Sequence, residues 1–140
     1  MNESFAITLH PRYRDLDPNG HVNHAVYATY MEEARAGYWR TVIGGSIAEA
    51  GVAIVSLSIE YAAELSLDQA VTVGMTVTGL GDSSIPQAYE LRTDGQVIAT
   101  GEAVLVAFDR EGRAARSLPT SWRDAIREHE AANGSSWATA

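Results

Sequence analysis

Cysteine and lysine are both absent from this chain of 140 residues. Without cysteine there is no thiol nucleophile, no disulfide and no zinc ribbon. Without lysine there is no Schiff-base amine, no P-loop lysine and no lysine-rich face for nucleic acid. The ten basic residues are all arginines and stand against 18 acidic ones, for a net charge of −8. A phosphate-bearing partner must therefore be bound by arginine or by backbone N–H groups.

Long apolar runs are absent as well. No run approaches the roughly 18 residues of a membrane span, and residues 1–4 carry no basic region typical of a signal peptide. We expect a cytoplasmic protein without a membrane partner, and the acidic balance disfavours nucleic acid. A hydrophobic content of 46% is sufficient for one domain with its own core. We place this domain at residues 1–131 and expect residues 132–140 to form a flexible C-terminal tail.

The hydrophobic patterning predicts an α+β fold. Alternating residues predict strands over 5–14, 52–61, 70–80, 88–93 and 96–108. Asp94-Gly95 predicts a tight hairpin turn between the last two strands. Apolar residues at spacings of three and four predict a long helix, capped by Asn23 and ended near Ile43 by two glycines. A second helix is predicted from Pro119 to Glu130. One such sheet leaves an edge uncovered, so we expect a symmetric dimer.

The densest chemistry lies in residues 12–24, which read Arg-Tyr-Arg-Asp-Leu-Asp-Pro-Asn-Gly-His-Val-Asn-His. A carboxylate just ahead of a helix start lies near free backbone N–H groups, which can stabilise an oxyanion. In one alternative, Asp15 and Asp17 only organise a turn and Asn23 only caps the helix. In another, the aspartates and histidines bind a metal, which their compact spacing and the lack of further ligands disfavour.

This run resembles the signature of a known enzyme family. The further matching residues of the predicted long helix are Tyr27, Tyr30, Glu32, Glu33, Ala34 and Arg35. Shorter matches in the later strands are Ile59-Glu60-Tyr61, residues 67–73, residues 81–84, residues 101–103 and Leu118-Pro119. Together they resemble the hotdog-fold acyl-CoA thioesterases of the 4-hydroxybenzoyl-CoA thioesterase type, over nearly the whole domain.

The resemblance implies a long central helix against a five-stranded antiparallel sheet, plus a short C-terminal helix. It also implies a homodimer or a dimer of dimers with its active site at the subunit interface. The substrate would be an acyl-CoA or acyl-carrier-protein thioester, hydrolysed to the free acid and CoA or carrier thiol. No metal and no cofactor is implied, since CoA belongs to the substrate.

Position by position, the resemblance makes Asp17 the catalytic carboxylate, as general base or nucleophile. Backbone N–H groups around Asn23 and His24 would polarise the thioester carbonyl, and the His24 ring is a candidate to orient water or Asp17. The residues assigned to substrate binding are Gly20, His21, Tyr27, Ser83 and Ser84.

The phosphates of CoA require cations in this acidic chain. The candidates are Arg110, Arg113 and Arg116, which cluster in sequence, and also Arg12, Arg14 and Arg92. Two other functions stay open. A hotdog hydratase or dehydratase is disfavoured by the spacing of four positions between Asp17 and His21. A non-catalytic module that binds acyl thioesters would use the same pocket without needing Asp17.

Overall fold

A single five-stranded antiparallel sheet forms the framework of the computed structural model, which describes residues 1–139. The strands are β1 (Phe5–Leu9), β2 (Val52–Tyr61), β3 (Val71–Val77), β4 (Ser84–Thr93) and β5 (Gln96–Ala107). Their order across the sheet is β1-β3-β4-β5-β2, so that β1 and β2 are the two edges.

The long helix α1 (Val26–Tyr38) lies against one face of this sheet and continues as a π-helical turn, Trp39–Ile43. Gly44, with a φ of 99°, ends it and donates its N–H to the Trp39 carbonyl. The C-terminal helices are α2 (Thr120–Ala132) and α3 (Ser136–Thr139). The predicted α+β fold is thereby confirmed, together with the glycine stop after Ile43. No helix within residues 1–139 is both long and apolar enough to cross a membrane.

The core fills the space between α1 and the sheet. The helix contributes Tyr27, Tyr30, Met31, Ala34 and Tyr38, all at most 4% exposed. Every second residue of the inner strands points at them, as the alternating pattern predicts. Gly101 of β5 permits the close approach of helix and sheet, because a Cβ there would lie 2.6 Å from the terminal methyl group of Met31.

Local turn chemistry explains where two strands begin and end. Asp94 and Gly95, with φ values of 50° and 74°, form the predicted hairpin turn between β4 and β5. The first strand was expected to reach residue 14 but ends at Leu9. Pro11 has no N–H for the ladder, and the N–H of Arg12 is bound by the Asp15 carboxylate at 2.9 Å. Residues Tyr13–Asp15 form a 3₁₀ turn instead.

The C-terminal segment differs from the flexible tail expected for residues 132–140. Helix α3 packs back on the domain: the Trp137 indole N–H donates to the Val77 carbonyl at 3.0 Å, and Ala138 is buried. The indole supplies the apolar anchor that keeps this small, polar segment on the sheet. Residue 140 of the predicted tail lies outside the described residues.

A carboxylate buried under α2 ties the same region together. Glu130 is 0% exposed and accepts hydrogen bonds from four hydroxyl groups. The donors are Ser4 at 2.5 Å, Thr76 at 2.6 Å, Tyr38 at 2.7 Å and Ser135 at 3.1 Å. Since they come from the chain before β1, from β3, from α1 and from the turn before α3, Glu130 links both ends of the chain to the central helix.

Candidate active site

Asp17 opens a tight turn in front of α1. Its Oδ1 accepts the Asn19 N–H at 2.9 Å and the His21 N–H at 3.3 Å. The N–H of Gly20, whose φ is 81°, donates to the Asp17 carbonyl at 3.0 Å. The turn is closed by one carboxylate oxygen only. Within residues 1–139, Oδ2 of Asp17 has no hydrogen-bond partner, so it is available to a substrate or a water molecule.

Asp15, two residues earlier, is buried, and both of its carboxylate oxygens are hydrogen-bonded. Its carboxylate accepts the Arg12 N–H at 2.9 Å and the Tyr30 hydroxyl at 2.7 Å, and it pairs with the Arg12 guanidinium at 3.3 Å. Burial by itself raises the pKa of Asp15, but these bonds together hold the pKa below its ordinary value. The same burial, with Asp15 alongside, raises the pKa of Tyr30. Asp15 therefore supports the turn and does not face the cleft.

The approach to α1 leaves one backbone donor open. The Asn23 N–H donates to the Asp15 carbonyl at 2.9 Å, and the Ala25 N–H donates to Asn23 Oδ1 at 2.9 Å. The N–H of His24, between them, has no acceptor among the described residues. The N-cap position of α1 is occupied by Ala25, without a side-chain cap, and not by Asn23 as predicted; Asn23 shapes the turn just before the helix with its side chain and carbonyl. Of the two N–H groups predicted to polarise a carbonyl, only that of His24 is unoccupied.

The wall of the cleft is aromatic. The Tyr61 hydroxyl at the end of β2 donates to the His24 carbonyl at 2.6 Å, which ties the helix start to the sheet. The Tyr61 ring packs edge-on against Tyr27 at 5.0 Å and lies 6.2 Å from the exposed His24 ring. The Tyr27 hydroxyl donates to the carbonyl of Ala63, another residue of the cleft, at 3.4 Å. Burial raises the pKa of both tyrosines, so their hydroxyls remain protonated at neutral pH.

The cleft that these residues enclose has a volume of about 350 Å³. It is lined by Asp17, His21, Val22, His24, Tyr27, Tyr61, Ala62, Ala63 and Glu64. At its rim the His21 Nε2 lies 3.1 Å from a Glu64 oxygen. Four predicted site residues thus share one cleft, and Gly20 and Asn23 shape the turns around it. No group of three or more His, Asp and Glu side chains in residues 1–139 is arranged to hold a metal ion.

The sequence matches a known family model over most of its length. A model described as the thioesterase-like superfamily matches residues 11–128. The chain belongs to this superfamily. The predictions of a hotdog-fold thioesterase and of a thioester hydrolase are thereby confirmed. No curated protein sequence matches this thioesterase significantly.

Solved structures agree with this assignment. A thioesterase from Thermus thermophilus, complexed with coenzyme A and zinc, is 32% identical over 93% of this chain and 96% of that one, with a TM-score of 0.86. The PA5185 protein of Pseudomonas aeruginosa is 29% identical over 96% and 94% of the two chains, with a TM-score of 0.83. A DHNA-CoA thioesterase from Staphylococcus aureus, 23% identical over 92% of each chain, shares the fold with a TM-score of 0.82.

Ser83 and Ser84 lie far from Asp17 within one thioesterase chain. Ser84 pairs with Val106 near the end of β5, whereas Tyr61 at the cleft pairs with Ala99 near its start. Seven residues of strand separate the two positions, or about 24 Å. The Ser83 carbonyl accepts the Ala107 N–H at 2.9 Å, which holds this loop at the far end of the sheet. The predicted site is therefore divided between two ends of the protomer.

Of the predicted phosphate-binding arginines, the cluster of Arg110, Arg113 and Arg116 also lies at the far end, and two of its three side chains are engaged. Arg110 donates to the Ala48 carbonyl. Arg116 donates to the Ala50 carbonyl at 3.4 Å and lies over the Trp122 ring. Arg113 has no side-chain partner among the described residues, in a backbone conformation with a φ of 53°. Of this cluster, Arg113 has the guanidinium most open to a ligand.

Sequence reasoning missed the contribution of β2 to the cleft. The sequence indicated Tyr61 only as the end of a strand and as part of a short family match, and it did not single out Glu64. The available signal was an exposed aromatic residue with a carboxylate three positions later, where a strand ends. Nothing local shows that this strand end lies beside Asp17, because the two are brought together by the pairing of Val22 with Leu65 through a 2.9 Å backbone bond.

Proposed function

We propose that this thioesterase hydrolyses acyl-CoA thioesters with Asp17 as the catalytic carboxylate. One observation carries the proposal: the free Oδ2 of Asp17 and the free N–H of His24 belong to residues that line the same cleft. A carboxylate and an unoccupied backbone donor are the two elements that thioester hydrolysis requires.

In the proposed reaction the thioester carbonyl oxygen accepts a hydrogen bond from the His24 N–H. As a nucleophile adds to the carbonyl carbon, the oxygen becomes negative and this bond strengthens. Asp17 Oδ2 either removes a proton from the attacking water or attacks the carbon itself, and water then cleaves the resulting anhydride. The C–S bond breaks in both routes, the thiolate leaves and takes up a proton, and the acid is released.

The other predicted residues take supporting roles in this proposal. Gly20 closes the turn that carries Asp17, and Asn23 shapes the chain just before His24. Tyr27 and the His24 ring line the path of the thioester, and His21 stands at its rim. A cytoplasmic location remains our expectation for this enzyme.

We further propose that the active site is completed in a dimer formed along β2. This edge strand is ten residues long and exposes an apolar row of Ile54, Val55, Leu57 and Tyr61. A long apolar edge favours pairing with a second copy. Antiparallel pairing of two β2 strands would set the Val52 end of one beside the Tyr61 end of the other. The partner's Ser83, Ser84 and Arg113 would then approach this cleft, suited to the pantetheine arm and the diphosphate.

The test is thiol release from a panel of acyl-CoA esters by wild type, Asp17→Asn and Asp68→Asn. Asparagine keeps an oxygen for the Asn19 and His21 N–H groups, so the turn persists while the base or nucleophile is lost. We expect kcat/KM to fall by about 10²- to 10⁴-fold. Asp68, exposed and in the segment between β2 and β3, is the matched control and should leave the rate unchanged.

Wild-type rates in a folded Asp17→Asn protein would overturn the role of Asp17. Binding of acyl-CoA by wild type without hydrolysis of any ester would instead favour the non-catalytic module. Release of a hydrated or dehydrated acyl-CoA, detected by mass spectrometry, would favour the hydratase.

The two routes open to Asp17 are separated by single-turnover hydrolysis in ¹⁸O-labelled water. If Asp17 attacks directly and water then opens the anhydride at the Asp17 carbonyl carbon, an oxygen of Asp17 passes to the product and label remains in the Asp17 carboxylate. Label in Asp17 therefore establishes direct attack, whereas water attack on the acyl carbon labels the product alone. General-base catalysis puts the label in the product acid only.

A further inference from the structure

Tyr13 is an aromatic side chain whose exposure the fold does not explain. It is 83% exposed, ahead of Val55 of the β2 edge at 64% among the large apolar residues of the described chain. The exposed apolar residues of β2 have a function in the proposed dimer. Tyr13 belongs to no strand and lies on a 3₁₀ turn at the cleft end of the sheet.

The backbone beneath Tyr13 is held firmly although its ring is free. Its carbonyl accepts the Leu16 N–H at 3.3 Å, and the Asp15 N–H donates to the Arg12 carbonyl at 2.8 Å. The Asp15 carboxylate then locks the turn to Tyr30 of α1 at 2.7 Å. An exposed ring on a fixed turn is a preorganised contact surface, because little backbone freedom is lost when a ligand covers it.

The residue that follows Tyr13 in the chain is an arginine without a carboxylate partner among the described residues. The cleft end of the sheet carries three arginines, and Arg92 is neutralised by Glu3 at 2.5 Å and by Glu90 at 3.6 Å. Arg12 shares its charge with Asp15. Arg14 is exposed, and no carboxylate within residues 1–139 lies within 4.0 Å of it. In a chain of net charge −8, this leaves Arg14 as the cation at this end that an anionic ligand can use.

Tyr13 lies close enough to Asp17 in the chain for one substrate to contact both residues. Tyr13 precedes Asp17 by four residues, so their Cα atoms lie at most about 14 Å apart. The cleft itself carries the carboxylates of Asp17 and Glu64, which repel phosphate groups. The anionic part of a substrate is therefore favoured outside the cleft, toward Arg14.

We propose that Tyr13 and Arg14 bind the 3′-phosphorylated adenosine of coenzyme A, with the purine stacked on Tyr13 and the phosphate at Arg14. This site rests on the proposed acyl-CoA hydrolysis and narrows the substrate class to CoA esters. A carrier protein would require an interface of about 800 Å² on each partner. Two residues of one turn match a nucleotide instead, since an aromatic ring stacks on any base and arginine binds phosphate.

Binding of the nucleotide alone tests the site without catalysis. Adenosine 3′,5′-bisphosphate is titrated into wild type, Tyr13→Ala, Tyr13→Phe and Arg14→Gln, followed by NMR or calorimetry. Tyr13→Ala is expected to raise Kd about tenfold, and Tyr13→Phe to retain wild-type affinity because stacking persists. Arg14→Gln is expected to weaken binding and reduce its salt dependence. The charge-matched control is Arg127→Gln on α2, whose guanidinium lies 5.5 Å from the Trp137 ring.

Kinetic assays then distinguish a loss of nucleotide binding from a loss of thioester hydrolysis. Each variant is assayed with an acyl-CoA and with the matching acyl-pantetheine, which lacks the nucleotide. The ratio of KM for the CoA ester to KM for the truncated ester should rise about tenfold in Tyr13→Ala and stay constant in Arg127→Gln. A purely structural role of Tyr13 would change both KM values together.

Equal Kd for the bisphosphate in wild type and folded Tyr13→Ala would overturn the proposal, and so would an unchanged KM ratio. Lost affinity in Tyr13→Phe would also overturn it, because the phenyl ring retains the stacking face. If wild type hydrolyses neither ester, the proposed function fails while the bisphosphate titration still decides the site. A preference of wild type for acyl-carrier protein over acyl-CoA would count against the proposal.

Discussion

The hydrogen bond from Tyr30 to Asp15 is the contact on which the shape of the active-site turn depends most directly. The Tyr30 hydroxyl lies 2.7 Å from a buried carboxylate that is also held by Arg12. Tyr30→Phe removes this donor and leaves the ring in place. A hydrogen bond to a charged group contributes about 1.5–3 kcal/mol. Because Arg12 still satisfies the carboxylate, we expect a loss of about 2 kcal/mol of unfolding free energy at pH 7.

The loss should depend on pH in a defined direction. The folded pKa of Asp15 lies below its ordinary value, so its ionised form stabilises the fold above the unfolded pKa. That stability is lost as the pH falls through the folded pKa. The difference in unfolding free energy between wild type and Tyr30→Phe is therefore largest at pH 7. It becomes smaller in acid, because Asp15 is then protonated and Tyr30 of the wild type bonds to a neutral group.

Urea unfolding across the acidic range measures this difference down to the lowest pH that retains a native baseline. Tyr27→Phe is the matched control, because its hydroxyl makes only a 3.4 Å contact with the Ala63 carbonyl. The control should lose less than about 1 kcal/mol, without pH dependence. The reasoning is refuted if Tyr30→Phe loses less than about 0.5 kcal/mol at pH 7, or if its deficit grows as the pH falls.

Two further variants test the dimer and the buried carboxylate. Leu57→Glu places a charge in the exposed apolar row of β2 and should yield a folded monomer in sedimentation velocity; a dimer of unchanged affinity would exclude β2 as the interface. Tyr38→Phe removes one of the four hydroxyl donors of Glu130 and should cost about 1–2 kcal/mol in urea unfolding, whereas wild-type stability would show that the remaining donors are sufficient.

The parts of the fold that follow from local rules could be predicted from sequence. Asp94-Gly95 supplies two left-handed residues in a row and so determines a hairpin by itself. The apolar spacing along α1 and the glycine after Ile43 determine the extent of the long helix in the same way. Trp137 escaped this reasoning, because the residues around it are small and polar and its contact with Val77 spans 60 positions of the chain.

The sequence suggests residues for the candidate site but not their arrangement. Nothing in the sequence shows whether Ser84 lies near Asp17 or far from it. Only the strand register shows that Ser84 lies beside one end of β5, whereas the cleft that contains Asp17 lies at the other end. The sequence also does not show which backbone N–H group before α1 is free. Which of the N–H groups of Asn23 and His24 is free depends on the carbonyl of Asp15, and a backbone acceptor has no residue type to recognise.

The two aspartates of the turn differ in how many of their carboxylate oxygens are hydrogen-bonded. Leu16, between them, pairs with Val22 in an isolated antiparallel bridge, which holds the turn that carries Asp17 beside the chain leading into α1. Asp15 faces Tyr30 and is closed by its hydrogen bonds, while its carbonyl holds the Asn23 N–H at 2.9 Å. That bond fixes the start of the helix against the turn that carries Asp17. Asp17 keeps Oδ2 unpaired among the described residues, in the same cleft as His24, whose N–H has no acceptor there either.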